Sequence, residues 1–265
     1  MNIIIAIKQV PETSNVKMDP ETGTMKRDGV ESIVNPLDLY AIETGIQLVE
    51  EHGGKVTVIT MGPPSAEKAL KEAISMGCDE GVLVSGREFA GADTWATAYA
   101  LAKVIEELGE FDLILAGERA TDGDTGQVGP CIASYMDIPL STYTSKVLKV
   151  EDDSIVVERM VEEGYESLKL PLPSLLTVVK EISYPRLPTL RGKQKARKME
   201  IPVMSAENVE MKKEYLGLKG SPTRVVKIAH PKVTRNGEFI KANDEESINQ
   251  AVNSLLEFLR GKEII

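Results

Sequence analysis

The feature that most constrains the fold is an uninterrupted apolar run near the start of the chain. Ile3–Ile7 contains no polar residue and is rich in β-branched side chains. Such a run is typical of a strand buried on both faces of a parallel sheet. Sheets of this kind are covered by helices, so the rest of the chain is expected to alternate helices with strands.

The segments that follow alternate as expected. One helical segment stops at Gly53-Gly54, and Asp93-Thr94 can cap another that runs to Leu108. In chain order, the predicted elements are the strand Ile3–Ile7, the helix Leu37–Glu51, the strand Val56–Thr60, the helix Ser65–Met76, the strand Gly81–Ser85, the helix 94–108, the strand Leu113–Ala116 and a helix near Pro130–Met136. This order predicts an α/β fold with an open, mostly parallel sheet and helices on both faces.

The pattern changes after about Leu140. Lys146–Val150 and Ser154–Arg159 are predicted as strands, and Leu175–Val179 is expected to return to the sheet.

The remainder of the chain divides into a basic segment and a terminal helix. Tyr184–Lys198 is punctuated by proline and glycine and has no clear period, so we predict an exposed loop or arm. Asp244–Leu259 has apolar residues at helical spacing and is predicted as an amphipathic helix. We therefore predict an α/β domain at 1–183 and an appended part at 184–265.

Composition excludes several classes of protein. The net charge of −10 and the aromatic content of 5% argue against a nucleic-acid-binding surface. The isolated residues Cys78, Cys131, His52 and His230 predict neither a disulfide framework nor a zinc or iron–sulfur site, although a magnesium site made of carboxylates alone stays open. The start of the chain lacks the features of a signal peptide, and no apolar run approaches roughly 20 residues. We therefore expect a soluble, cytoplasmic protein without membrane insertion.

The richest polar segment, GERATDGDTGQVGP at 117–130, follows the predicted strand Leu113–Ala116. Ligands of open parallel sheets bind beyond the carboxyl ends of the strands. The glycines let the backbone approach a ligand, and the helix that follows would offer N–H groups to a phosphate. A capped turn is the simpler interpretation, but the length and the position favour a ligand loop. Neither GxGxxG nor GxxxxGK[ST] occurs, so the usual dinucleotide and P-loop sites are unsupported.

The basic segment Tyr184–Lys198 contains Leu187 and Leu190 among its cations, in a chain of net charge −10. Exposed apolar side chains ringed by cations indicate a docking element for an acidic partner. A solvated loop is the alternative interpretation.

Taken together, these segments resemble the β subunit of electron transfer flavoprotein over essentially the whole chain. The motifs that carry the resemblance are Lys8-Gln9-Val10-Pro11 after the first strand, Asn35-Pro36-Leu37-Asp38, Met61-Gly62-Pro63, Ala73–Asp79 and, most specifically, Val157-Glu158-Arg159 with Glu162-Glu163-Gly164, Glu166, Leu168, Pro173 and Leu175–Thr177.

The resemblance implies a nucleotide-binding domain that pairs with an α subunit carrying a redox FAD. In the housekeeping branch of the family the β subunit holds structural AMP, and in the electron-bifurcating branch it holds a second FAD that receives hydride from NADH. Asp122–Pro130 is similar to the bifurcating pattern, with Gly126 in place of the commoner alanine, whereas housekeeping members tend to carry a further acid at the position of Gly123. By resemblance the cofactor-binding residues are Ala6, Asn35, Asp38, Met61, Thr94, Ala120, Thr121, Asp122, Gly123, Asp124, Thr125, Gly126, Gln127, Val128, Gly129, Pro130 and Cys131.

The resemblance also implies partners. The part at 184–265 would contact the α subunit and dock a dehydrogenase, with Leu190 as the anchor and Arg191, Lys193, Lys195, Arg197 and Lys198 around it. Electrons would pass to an acyl-CoA dehydrogenase-type or quinone-reductase partner and to ferredoxin or flavodoxin. No catalytic residue is expected, because the cofactor carries the chemistry. Two alternatives stay open: a housekeeping subunit with AMP, and an ATP-using adenylating enzyme, which would need a Ser-Gly-Gly-type loop where Lys8–Pro11 stands.

Overall fold

The computed structural model describes residues 1–12, 17–18, 25–26, 32–226 and 239–265. His230 lies outside them. The chain groups into two compact units, Met1–Val226 and Lys227–Ile265. The predicted division at residue 183 stays a prediction.

The first unit contains a nine-stranded sheet in the order β11-β10-β9-β12-β8-β1-β6-β7-β13. The seven strands β9-β12-β8-β1-β6-β7-β13 run parallel, each to its neighbour in the sheet. At the other end of the order, β9, β10 and β11 pair antiparallel as successive hairpins. The strands are β1 (Asn2–Ala6), β2 (Gln9–Pro11), β3 (Lys17–Met18), β4 (Met25–Lys26), β5 (Ser32–Val34), β6 (Lys55–Met61), β7 (Glu80–Val84), β8 (Leu113–Gly117), β9 (Leu140–Val150), β10 (Ser154–Val161), β11 (Gly164–Pro171), β12 (Ser174–Val178) and β13 (Val203–Met204). Two small pairs, β2 with β5 and β3 with β4, lie outside this sheet.

Helices cover both faces of the sheet, as predicted. The helices are α1 (Asp38–His52), α2 (Glu67–Met76), α3 (Thr94–Leu108), α4 (Val128–Met136), α5 (Leu190–Lys198), α6 (Gly217–Gly220) and α7 (Glu245–Gly261). Ile3 and Ile5 pack with α1 and α2 in one core cluster, whereas Ile4 and Ala6 pack with α3 and α4 in a second. Because successive strand residues point to opposite faces, a central strand buried on both sides must be apolar throughout.

The prediction of a loop over the whole basic segment is wrong at 190–198, where the chain forms α5. The Thr189 hydroxyl caps this helix by accepting a hydrogen bond from the Gly192 N–H at 2.9 Å. Ala196 is buried, and Gly192 faces the backbone of Ser75 in α2, where no side chain would fit. The face of α5 that packs against α2 therefore includes only two small residues four positions apart, Gly192 and Ala196, which is too little to show a period among so many cations.

The antiparallel end of the sheet is longer than predicted. The strand β9 begins at Leu140, before the predicted start at Lys146, and the edge strand β11 was missed. The start of β9 lacks an apolar pattern because two of its buried residues are polar. Ser141 and Thr144 are buried there, and their hydroxyls share a hydrogen bond at 2.9 Å. An edge strand with one exposed face carries a weaker apolar pattern than a central strand.

The described part of the second unit contains α7, which confirms the predicted terminal helix. Asp244 and Ser247 form a capping box at its start. Ile248, Val252, Leu255 and Phe258 are exposed along it. No helix in the described ranges combines the length and the apolarity needed to cross a membrane.

Candidate functional site

The candidate site lies where the strand order of the sheet reverses. From β1 the chain adds β6 and β7 on one side, and it then adds β8 and β12 on the other. The loops that leave β1 and β8 therefore diverge, and the crevice between such loops, at the carboxyl ends of the strands, is where open parallel sheets bind ligands. Ala6 ends β1, Gly117 ends β8 and Met61 ends β6 at the same edge.

A fully buried asparagine holds the loop after β8 in place. The side chain of Asn35 donates hydrogen bonds to the Arg119 carbonyl and to Asp38 Oδ1, both at 2.9 Å, and its Oδ1 accepts from the Thr121 N–H at 3.1 Å. These contacts use the amide group of Asn35 within the protein. Asn35 is predicted to line a cofactor. In the structure its side chain instead binds the loop after β8, which is itself predicted to line the cofactor.

Asp38 begins α1 and is buried beneath this loop. Its Oδ2 accepts a hydrogen bond from the Lys8 N–H at 2.7 Å. Burial raises the pKa of the Asp38 carboxyl from 3.8 to about 7, although hydrogen bonds from Asn35 and from the amides of Lys8 and Gly117 act in the opposite direction. A side chain at Gly117 would collide with Asp38, so the end of β8 requires glycine.

Two cations at the crevice are paired with carboxylates of the loop after β8. Lys8 Nζ lies 2.7 Å from Asp122 Oδ1, and Arg119 Nε lies 3.1 Å from Asp124 Oδ1. These pairs bring basic groups to the place where the resemblance implies an anionic ligand.

The two variable glycines of the loop differ in their backbone. Gly126 has a φ of +62°, and a Cβ there would lie 3.3 Å from the Glu118 carbonyl oxygen. A Cβ placed at Gly123 would meet no heavy atom within 4 Å in the part of the chain that the structure describes, apart from the two adjacent residues. The turn therefore favours glycine at 126, whereas the described chain leaves room for a side chain at Gly123.

The first turns of α3 and α4 complete the crevice. The Thr94 hydroxyl donates to Gln127 Oε1 at 2.9 Å, so the two helix starts are joined. Asp93 caps α3, as predicted, by accepting from the Ala96 N–H at 3.1 Å. The N-cap residue of α4, Gln127, makes no capping hydrogen bond with its side chain. The first N–H groups of α4 are thus available to an anion.

Aromatic rings pack behind these helix starts. Trp95 is 42% exposed, and its ring centroid lies 4.7 Å from that of Tyr135 in α4. Cys131 lies in the first turn of α4, where burial, and then the charge of Asp93, raise the pKa of its thiol. A raised pKa disfavours the reactive thiolate.

The structure thus brings most of the predicted cofactor residues to one crevice. Ala6, Asn35, Asp38, Thr94 and the segment 120–131 gather around the ends of β1 and β8, and Met61 lies at the end of the next strand. The sequence interpretation placed Gly117 and Arg119 in the ligand loop at 117–130, but it did not count them, or Lys8, among the cofactor-binding residues. Lys8 follows strand one and could have been chosen as the cation nearest a strand end.

The predicted docking residues lie elsewhere, on α5, which packs against α2. Leu190 begins α5 and is 83% exposed, so it does not pack inside this chain. Lys195 Nζ donates to the Cys78 carbonyl at 3.1 Å. In the described part of the chain no three His, Cys, Asp or Glu residues are grouped so as to hold a metal ion.

Comparison with known proteins agrees with this architecture. Residues 22–209 match the family described as "Electron transfer flavoprotein domain". The chain is 48% identical over 266 residues to the electron transfer flavoprotein subunit beta of Thermoanaerobacterium thermosaccharolyticum, covering 100% of both chains. It is 43% identical to the caffeyl-CoA reductase-Etf complex subunit CarD of Acetobacterium woodii, again covering 100% of both chains. It is 39% identical to the acryloyl-CoA reductase electron transfer subunit gamma of Anaerotignum propionicum, covering 97% of this chain and 98% of the relative.

Proposed function

The chain belongs to the family of electron transfer flavoprotein β subunits, and we propose that it binds FAD in the crevice between β1 and β8. FAD bound there would accept hydride from NADH and deliver electrons singly to the FAD of an α subunit and to a low-potential ferredoxin or flavodoxin. The protein would thus act in electron bifurcation, as the NADH-oxidising part of a heterodimer.

The observation that carries this proposal is the open space at Gly123. Among the described residues, apart from Gly123 and its two chain neighbours, no heavy atom lies within 4 Å of the place where a Cβ would stand, and Gly123 belongs to the loop that Asn35 holds at the strand ends. A ring system needs such room, and a carboxylate side chain at this position would fill it. Gly123 therefore favours FAD over AMP as the ligand.

The donors around the crevice suit the diphosphate of FAD. The uncapped first turn of α4 presents N–H groups, and Lys8 brings a cation to the end of β1. Helix N-termini and lysine side chains both favour phosphate oxygens. Asn35 and Asp38 would act beneath the ligand by holding the loop, because their side-chain groups are occupied by protein partners.

We also propose that α5 and the residues before it dock an acyl-CoA dehydrogenase-type or quinone-reductase partner. Two relatives carry the names of a caffeyl-CoA reductase complex and an acryloyl-CoA reductase, which favours a partner acting on a CoA thioester. The exposed Leu190 would supply an apolar anchor, and the cations Arg191, Lys193, Lys195, Arg197 and Lys198 would steer an acidic surface.

The test is the ligand content of the purified αβ heterodimer. After denaturation, the released nucleotides are separated and counted against protein. We expect two FAD per heterodimer, together with reduction of flavin by NADH. One FAD and one AMP per heterodimer would contradict the bifurcating role and would favour a housekeeping subunit with structural AMP.

A further inference from the structure

One arginine joins the basic segment to the first helix. The Arg186 guanidinium donates from Nε and Nη2 to the two carboxylate oxygens of Glu43, at 2.9 and 3.1 Å. It also donates from Nη1 and Nη2 to the two oxygens of Glu50, at 2.6 and 2.8 Å. The Arg186 N–H adds a bond to Glu43 Oε2 at 3.1 Å. Both glutamates belong to α1, so one side chain binds this helix at two positions about two turns apart.

This contact differs from an ordinary surface ion pair. The Glu43 side chain is 3% exposed, and it also accepts a hydrogen bond from Gln47 at 2.7 Å. Burial by itself would raise the pKa of Glu43, but the hydrogen bonds from Arg186 hold it below its ordinary value. Hydrogen bonds from Arg186 lower the pKa of Glu50 as well. Paired, bidentate contacts of this kind are among the strong polar interactions of proteins.

Residues on either side of Arg186 are hydrogen-bonded to α1 and α2. The Ser183 hydroxyl donates to the Tyr40 carbonyl of α1 at 3.1 Å, and the Thr189 N–H donates to the Ser75 carbonyl of α2 at 3.1 Å. Near these two hydrogen-bonded residues, three large apolar side chains are exposed. Tyr184, Leu187 and Leu190 are 92%, 86% and 83% exposed.

We infer that Arg186 is a positioning residue for partner docking, which holds the segment 184–190 on α1 so that its apolar side chains are presented in one arrangement. The inference rests on the docking part of the proposed function. A segment ordered before binding loses less conformational entropy on binding than a flexible one, so its affinity for a partner is higher. Arg186 itself faces α1 and would not need to touch the partner.

The variants must remove the contact without leaving a buried charge alone, because an unpaired Glu43 would destabilise the fold. Arg186→Met combined with Glu43→Met removes both charges and retains apolar volume. Glu50→Gln weakens only the exposed half of the contact. Arg159→Met combined with Glu166→Met is the matched control, since it removes another arginine–glutamate pair, with a bond of 2.9 Å between β10 and β11.

The first measurement is backbone hydrogen exchange of the αβ heterodimer, read peptide by peptide. We expect exchange over 184–190 to accelerate in Arg186→Met/Glu43→Met, to accelerate less in Glu50→Gln, and to stay unchanged in the control pair. Exchange over 184–190 that equals that of the wild type in both test variants would overturn the inference.

The second measurement is electron transfer to purified acyl-CoA dehydrogenases that accept electrons from the wild-type heterodimer. We expect the apparent KM for the dehydrogenase to rise roughly three- to thirtyfold in Arg186→Met/Glu43→Met, with kcat and flavin content unchanged. When these substitutions are combined with Leu190→Ala, the rise in apparent KM should be smaller than the product of the separate rises. The reason is that Arg186 acts by placing the apolar side chains, including that of Leu190. An unchanged KM, or fully multiplicative effects, would contradict the inference. If the wild type served no dehydrogenase, the docking function would fail, and hydrogen exchange would still decide whether Arg186 holds the segment.

Discussion

The ammonium nitrogen of Lys8 lies 2.7 Å from a carboxylate oxygen of Asp122, and this ion pair joins the loop after β1 to the loop after β8. The two residues are 114 positions apart in the chain. An anionic ligand entering between the two loops would compete with Asp122 for the lysine.

Lys8→Gln should therefore weaken the binding of phosphate-bearing ligands. In heterodimer stripped of nucleotide, we expect the Kd for AMP to rise about tenfold, which is the usual size of a charge-assisted contact. The Kd for adenosine should be unchanged, and Asp122→Asn should tighten AMP binding because it frees the cation. Titration calorimetry measures these constants. An equal loss for AMP and adenosine would show that Lys8 acts only on the shape of the site.

Asn35→Ala should loosen the ligand loop and destabilise the protein by about 2–4 kcal/mol, because it removes the hydrogen-bond partner of the buried Asp38 carboxyl and of two partly buried backbone groups, those of Arg119 and Thr121. Asn208→Ala is the control, since Asn208 makes similar bonds on the surface. Denaturant unfolding gives both values. Equal losses for the two variants would contradict the role assigned to Asn35.

Substitutions at Gly126 and Gly123 should affect different properties, the first stability and the second flavin content. Gly126→Ala places a side chain on a residue whose backbone has the left-handed conformation, and it should destabilise the protein by about 1 kcal/mol. Gly123→Asp should leave stability within about 0.5 kcal/mol, because the chain leaves room there. Flavin content should nevertheless fall from two towards one per heterodimer. Unchanged flavin content and unchanged NADH oxidation in Gly123→Asp would show that this glycine is only a turn residue.

The buried carboxyl of Asp38 predicts a pH dependence of stability. Burial raises its pKa from 3.8 to about 7, so the folded state retains a proton that the unfolded state has released. The free energy of unfolding should therefore fall as the pH rises from about 4 to about 7, by roughly 1.4 kcal/mol per pH unit from this group, and level off above. The contribution is measured as the difference between wild type and Asp38→Asn in denaturant unfolding at several pH values. Curves that run parallel through this range would contradict the assignment.

Leu190→Ala should weaken docking without affecting folding. The side chain is 83% exposed, so its loss should leave the melting temperature unchanged. The apparent KM for the dehydrogenase should rise roughly tenfold, equivalent to about 1.4 kcal/mol, as for an anchor that fills a pocket on the partner. Leu148→Ala, which truncates another exposed leucine on β9, is the control. A lower melting temperature with an unchanged KM would end the docking hypothesis.

The sheet and its helices could be predicted because their signals are local. Ile3–Ile7 and Leu113–Ala116 are apolar throughout because each is buried on two faces, and Asp93 marks a helix start through a hydrogen bond three residues along the chain. The helix α5 could not be predicted as readily. The close approach of Gly192 to Ser75 explains which face of α5 is buried, and a pattern of neighbouring residues in the sequence cannot show a contact between such distant positions.

The site could be predicted as a place, but not as a set of contacts. The polar loop at 117–130 and its position after a strand are visible in the sequence. The loop residues that bind Asn35, however, lie 84 and 86 residues away from it, and the partners of Arg186 lie 136 and 143 residues away. Pairings over such distances depend on strand order, and strand order follows from the packing of the whole sheet.

Trp95 is the sole tryptophan of the chain, and it stands one residue after the threonine that bonds to the ligand loop. Flavins absorb light in the range where tryptophan emits, and adenosine phosphates do not. The subunit consequently carries its own optical reporter: its ultraviolet emission should dim when FAD enters and stay bright with AMP. Comparison with Trp95→Phe isolates that emission from the light of any partner chain, so occupancy could be followed in real time without a label.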